Sequence, residues 1–318
     1  MMRLSSSRSA FLAALPLAAL ALRRPALAQA TVVRVGATAN DTYGEAYYAV
    51  DMGFFSKAGL DVQIQTFSNG AAVAAGVASG ALDVGVTNPI QLAHAVASNI
   101  PFAYFAGGGL YSTNAPATVI VVAKDSPMRV AKDLEGKTVA NPTLKDLTYL
   151  ATVAFLAQGG ADPTKVQMTE MPFSEMGAAL QRGTIAAAII SEPSLSAAIA
   201  AGQARSFGKV FDAISPRFLI SGWFTTKSWY AANAPVANRF AQVIYQTARW
   251  ANIGANHEKS GQILAKYSKL PLETVRGMVR CTFSETLTPA QLDPMLAMAA
   301  KANLIPRLVT GAELIVKV

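Results

Sequence analysis

Cysteine is nearly absent from this chain: Cys281 stands alone among 318 residues. No internal disulfide can therefore form, and no cysteine sits where a lipid anchor would follow an export signal. Histidine is almost as scarce. His94 and His257 have neither the spacing of a metal site nor an evident nucleophile nearby, so no metal and no other cofactor is expected. Basic runs are missing too, since the 27 Lys and Arg and 19 Asp and Glu are scattered. Nothing resembles the clustered, aromatic-interleaved basic face that marks a nucleic-acid binder, so nucleic acid is not expected as a partner. There is no Walker A sequence, no dinucleotide glycine fingerprint and no Gly-x-Ser-x-Gly elbow. These absences favour binding over turnover, and no enzyme is expected.

What the chain does have begins at its amino end. Arg3 and Arg8 precede an apolar run from Phe11 to Leu22, and Ala26-Leu27-Ala28 and Ala28-Gln29-Ala30 both fit a small-x-small cleavage site. The run, broken by Pro16, falls well short of the roughly 20 residues that span a bilayer. Residues 1–30 are therefore expected to be a cleaved signal peptide. Arg23-Arg24 follows the apolar run instead of preceding it, which points to the general secretory route and a periplasmic location. Loss of Arg3, Arg8, Arg23 and Arg24 takes the formal charge from +8 to +4. The mature chain then reads as a mildly basic soluble protein, expected to be monomeric.

The remaining length exceeds what one core usually fills, so two domains are expected. β-branched runs alternate with helical stretches, the βαβ pattern of an α/β protein. Strands are expected at 32–37, 60–66, 83–87 and 101–106, with helices near 43–56, 70–79 and 89–98. After Gly107-Gly108-Gly109 and a polar stretch, a second set follows, with strands at 118–123, 138–140, 166–171 and 185–190. Its helices lie near 144–158, 174–182 and 194–201. Residues 218–226 read as one more strand, and 237–303 as helical. The expected layout is lobe one from 31–113 and 221–318 and lobe two from 114–220. Hinge crossings fall near 110–117 and 217–224. Each lobe is a mixed, mostly parallel sheet flanked by helices.

Ligands of open α/β sheets lie beyond the carboxyl ends of the strands. In those loops stand Asn40, Asp41 and Tyr43, with Thr42 and Glu45 spaced as a capping box. Ser68, Asn69 and Gly70 follow the second strand, and Thr87 and Asn88 the third, where Pro89 and Gln91 complete a helix start. Lys145, Phe173, Ser191 and Glu192 mark the second set. Several helix starts converging on one cleft would hold an anionic or strongly polar head group, although each cap can equally serve only its own helix. Glu192, before Pro193, is a candidate acceptor for a ligand N–H or hydroxyl, or else a charge complementing its helix dipole. Lys145 is a candidate cation. Tyr43, Tyr111, Phe173 and Trp223 are candidate aromatic walls, a role that competes with plain core packing.

Val33-Arg34-Val35-Gly36, Gly53-Phe54-Phe55, Gly59-Leu60-Asp61-Val62 and Gly80-Ala81-Leu82-Asp83-Val84-Gly85 form a familiar series. Asp133-Leu134-Glu135-Gly136-Lys137-Thr138-Val139, the stretch 178–188 and Glu192-Pro193 continue it. Over nearly all of the mature chain the sequence resembles the nitrate/sulfonate/taurine class of ABC transporter substrate-binding proteins, also called SsuA/THI5-like or NMT1-like. The resemblance implies a two-lobe, type II periplasmic-binding fold that captures a small-molecule ligand by lobe closure. It also implies delivery to an ABC permease and its ATPase in the inner membrane. Ser191 stands where members often carry Trp before the Glu-Pro pair, so no member's ligand is carried across. The expected classes are a small organic acid, a sulfonate or a polar heteroaromatic compound. The chief alternative is a THI5-like pyrimidine-forming enzyme of the same fold, which resembles a cysteine-rich protein, unlike this one. The effector half of a transcription regulator is a further alternative, but no helix-turn-helix precedes Thr31.

Overall fold

A computed structural model describes residues 30–316; the signal peptide expected over 1–30 lies, but for Ala30, outside the described residues. Strands β1 (Thr31–Ala37), β2 (Leu60–Thr66), β3 (Val84–Thr87) and β4 (Phe102–Gly107) are interleaved with helices α1 (Glu45–Asp51), α2 (Phe54–Lys57), α3 (Gly70–Ala78) and α4 (Pro89–Ala97). A short strand β5 (Gly109–Ser112) then leads to β6 (Thr118–Ala123), β7 (Thr138–Asn141), β8 (Gln167–Glu170), β9 (Ala187–Ser191) and β10 (Ala204–Gly208). Helices α5 (Leu147–Gln158), α6 (Phe173–Gln181) and α7 (Ser194–Ala200) lie among them. The return path carries β11 (Arg217–Leu219) and β12 (Gly222–Thr226), and the tail holds α8 (Lys227–Ala251), α9 (His257–Ser268), α10 (Leu272–Arg276), β13 (Thr282–Phe283), α11 (Asp293–Lys301) and α12 (Gly311–Leu314).

The two large sheets repeat one plan. One runs β2-β1-β3-β12-β4 and the other β8-β7-β9-β6-β10. In each, a parallel trio (β2, β1, β3; β8, β7, β9) meets one antiparallel strand, β12 or β6, that has just crossed from the opposite sheet. That strand pairs antiparallel with the sheet's last member too, so four of five strands point one way. This is the mixed, mostly parallel arrangement read from the sequence. Because helices cover both faces, the strands need no polar side. In β6, Ile120 and Val122 join one core cluster while Val119 and Val121 join another on the opposite face.

The segments that pass between the sheets are themselves ordered. Gly109–Ser112 pairs antiparallel with Arg217–Leu219, and β13 adds a third strand from the tail. The glycine run read as a break is a strand here because of what surrounds it. A side chain at Gly109 would meet the Thr42 carbonyl oxygen at 2.8 Å, while its amide donates to Ser221 Oγ at 2.7 Å. The single strand read over 218–226 is two, broken at Ile220-Ser221 and belonging to different sheets. The helical reading of 237–303 also fails at β13, where the chain returns to pair with β5. Among the described residues no helix is long and apolar enough to cross a membrane.

Candidate functional site

The parallel trios point their carboxyl ends into one cleft, and the side chains after β1, β2, β3, β7, β8 and β9 line it. The local reason is helix capping. Asn69 accepts from the Ala72 amide at 3.0 Å, Asn88 from Gln91 at 2.9 Å and Asp146 from Tyr149 at 3.0 Å, which starts α3, α4 and α5 at the rim. Asn40 accepts from the Tyr43 amide and from Thr42 Oγ1, closing a tight turn. The capping box read between Thr42 and Glu45 does not form. Glu45 is buried and takes the Trp223 indole N–H at 2.8 Å.

An inner chamber of about 50 Å³ is lined by Asn40, Tyr43, Ser68, Asn69, Gly70, Asn88, Phe173 and Ser191, the part of the sequence reading that the structure brings together. It adjoins an outer chamber of about 430 Å³ through Thr38, Asn40, Ser68 and Phe173. Thr87 stands behind Gly70: a side chain there would collide with Thr87 Oγ1. The inner space holds little more than ordered water, so a solute-sized guest requires the two sides to part.

Other candidates lie elsewhere. Trp223 is fully buried in the first sheet, where its ring packs against Phe240. Tyr111 is buried on β5 and donates to Asp212 at 2.6 Å, away from the chamber. Lys145 is exposed in a left-handed turn, one residue before the cap, so it is not in the first turn of α5. Asp41 is buried against Arg280. The Glu192 carboxylate accepts from the Ser196 amide and hydroxyl at 3.0 and 2.9 Å and from the Val279 amide at 3.3 Å. It therefore starts α7 and ties it to the tail, and its acceptors are taken up by protein donors.

Sequence reasoning passed over Thr38, Thr118, Thr148, Phe211 and Ile220, all of which line the inner chamber. It also passed over Asp146 as a site residue. The signal was there: an Asp directly before an apolar helical run is a cap. Phe211 and Ile220 arrive on the return path and carry no local mark.

Asp146 sets the electrostatics. It is 4% exposed, and its Oδ2 receives a single long bond, 3.3 Å, from Asn88 Nδ2 on the opposite sheet's side. Burial pushes its carboxyl up to about 6, with the donors Thr148 and Tyr149 pulling it back. The Tyr43 phenol is raised by burial and then by the Asp146 charge. Among the described residues no Lys, Arg or His side chain lines either chamber. An anion about 4 Å from ionised Asp146 would meet roughly 4 kcal/mol of repulsion at a partly screened site. A helix amino end returns about 0.3–2 kcal/mol, and much of that is already engaged by the caps. The balance at neutral pH favours donors and cations over bare anions.

Residues 40–253 match the NMT1/THI5-like family. A protein of Escherichia coli strain K12 provisionally named for binding aliphatic sulfonates is 27% identical over 230 residues, 71% of this chain and 68% of that one. The taurine-binding periplasmic protein of the same organism is 29% identical over 147 residues, 46% of this chain and 44% of its own length. Among solved structures, the alkanesulfonate-binding protein SsuA of Xanthomonas axonopodis pv. citri bound to MOPS superposes with a TM-score of 0.78 at 19% identity, over 92% of this chain and 100% of that one. At that identity the likeness is one of fold.

Proposed function

We propose, from the premise that this chain belongs to the NMT1/THI5-like family, that it is the solute-binding component of an ABC importer. In this reading it is exported to the periplasm through a cleaved leader, captures a small polar organic solute between its two lobes and presents the closed form to a permease and its ATPase. The observation that carries the reading is the shared chamber. Helix starts from both sheets line one polar, aromatic-walled space, and Asn88 reaches across it to Asp146. The relatives' names as sulfonate- and taurine-binding proteins support a binding role.

Mechanistically, the crossing strands β5 and β11 act as the hinge. The Asn88–Asp146 bond and the Asp41 amide donating to the Glu192 carbonyl at 3.2 Å hold the sides together. A solute touching both sides adds contacts to the closed form alone and shifts the population towards it. Cys281 is buried, its thiol raised by burial, and it lines neither chamber. That is unlike the exposed, activated thiol that reactive cysteines require.

The test is a thermal-shift screen of refolded, solute-free protein against organic acids, sulfonates, amines and heteroaromatics, with small-angle scattering on any hit. The expected result is one solute class that raises the melting temperature, changes the radius of gyration and is recovered unchanged. Consumption of the hit on incubation would assign an enzyme instead.

A further inference from the structure

Among the described residues, the inner chamber is lined by an acid, Asp146, and by no Lys, Arg or His. Asp146 lies at its wall, almost wholly buried, with Oδ1 occupied by the Thr148 hydroxyl at 2.7 Å and the Tyr149 amide, and Oδ2 holding only the long Asn88 contact. An ionised carboxylate oxygen accepts more than one donor, so capacity remains on the side facing Asn88. A second, independent observation points the same way. Thr38, 6% exposed and lining both chambers, has a buried hydroxyl with no partner. Buried polar groups are normally satisfied, and this one sits where a guest's head would pass. Phe173 lines both chambers and Tyr43 and Phe211 line the inner one, which supplies aromatic surface around the head and at the junction with the outer space.

From this geometry we infer that the captured solute presents a cationic or N–H-donating nitrogen head to Asp146, of the amidinium or amino-heteroaromatic kind, with its body extending past Phe173 into the outer chamber. The inference rests on the capture reading above and narrows it. A sulfonate or carboxylate head placed in the same chamber would face Asp146 without any side-chain cation to offset it. A nitrogen head gains a charge-assisted hydrogen bond there, and ring surface against Phe173 and Tyr43 adds a cation–π or stacking contact.

The experiment uses three probes with one ring and different heads: benzamidine, benzoate and benzenesulfonate, titrated by calorimetry at pH 7.5 into the refolded, solute-free protein. Benzamidine is expected to bind saturably and the two anions not to. Asp146→Asn is expected to weaken benzamidine at least tenfold. Asn and Ser both cap helices well, so Asp146→Asn should fold, and Asp146→Ser repeats the measurement with a different capping side chain. Tighter binding of benzoate or benzenesulfonate than of benzamidine, or benzamidine binding unchanged in both variants, would overturn the inference and leave solute capture standing. Binding by none of the three also overturns it, and capture is then decided by the broad screen, which includes heads of every charge.

Discussion

Two buried aspartates stand at helical starts in this chain, Asp41 as the first residue of a 3-10 turn and Asp146 as the cap of α5, and they are treated in opposite ways. Asp41 is fully buried and saturated. It accepts from the Tyr48 hydroxyl at 2.6 Å, the Cys281 amide at 2.6 Å and two Arg280 nitrogens at 3.1 Å each. Arg280 is itself one-tenth exposed and also donates to the His257 carbonyl. Asp146 is just as deep, but it has neutral donors only and no cation. A charge that a fold needs for itself is neutralised from within, whereas a charge left unneutralised in a cavity is available to something from outside. Within one protein, the contrast separates a structural carboxylate from a binding one more sharply than residue type or position does.

The strongest way to break the contrast is to remove the partner that makes Asp41 structural. Arg280→Leu leaves a buried carboxylate unpaired, and loss of one member of a buried ion pair costs about 3–5 kcal/mol. Urea unfolding should show that loss. Adding Asp41→Asn to the same protein should recover much of it, since the uncompensated charge then disappears. An Arg280→Leu protein as stable as the parent would make the pair incidental.

The second test sharpens the other side. The carboxyl of Asp146 sits near 6 in the folded protein, above its usual 3.8, so the folded state binds the proton more tightly than the unfolded one. Its contribution to stability is complete below about pH 4 and is lost as the pH rises through about 6. Raising the carboxyl from 3.8 to about 6 corresponds to roughly 3 kcal/mol. Asp146→Asn escapes that penalty while forfeiting the bond from Asn88, about 1 kcal/mol. At pH 7.5 the variant should therefore be more stable by about 1–2 kcal/mol, and at pH 4 the advantage should be gone. Melting curves from pH 4 to 8 measure this. No gain at pH 7.5 would mean that water or a retained ion already solvates the site. A variant that gains stability while losing benzamidine would show a binding group held at the expense of the fold.

Glu192 falls between the two aspartates. It is almost fully buried, like them, and burial raises its carboxyl, yet three protein donors occupy it. Glu192→Ala strands the Ser196 and Val279 amides, at a cost of about 1–3 kcal/mol. Affinity for the solute should change less than tenfold once the variant is folded. A larger loss, with stability untouched, would move Glu192 from the structural to the binding side.

Much of this architecture was legible in the chain, and what was hidden has a common cause. Runs such as Thr118–Ala123 declare themselves because both faces of the strand are buried. Helix starts declare themselves through Asn69 and Asn88, whose side chains do the local work that the sequence suggests. The strands at Gly109–Ser112 and Ala204–Gly208 did not, since Gly109 in one and Ala204 and Gly208 in the other argue against a strand. It is their neighbours that make them one. The inner chamber is lined by the caps Asn40, Asn69 and Asn88 and by the aromatics Tyr43 and Phe173, but not by Asp41, Glu192, Trp223 or Tyr111. Trp223 and Tyr111 could face cleft or core with equal local logic, and only the packing of distant segments decided for the core. Lys145, a candidate cation from the sequence, is exposed one residue before the cap, and it is its neighbour Asp146, the cap of α5, that lines the chamber.

The smallest effect concerns the bond that joins the two sides. Asn88 does two jobs: its Oδ1 caps α4 at the Gln91 amide, and its Nδ2 reaches Asp146. Asn88→Ala removes both, and the cap alone is worth about 1 kcal/mol. Asn88→Ser should restore the cap without the reach, so its stability should return close to that of the parent. If the long 3.3 Å contact helps to hold the solute-free chamber shut, both variants should populate a more open form, seen as a larger radius of gyration by small-angle scattering. A nitrogen-headed solute replaces that contact with its own bond to Asp146, so solute-bound parent and Asn88→Ser proteins should scatter alike. Equal radii without solute would assign closure to the remaining contacts, chiefly the Asp41 amide on the Glu192 carbonyl. The charge contrast between Asp41 and Asp146 would then bear on which solute binds and not on how the lobes close.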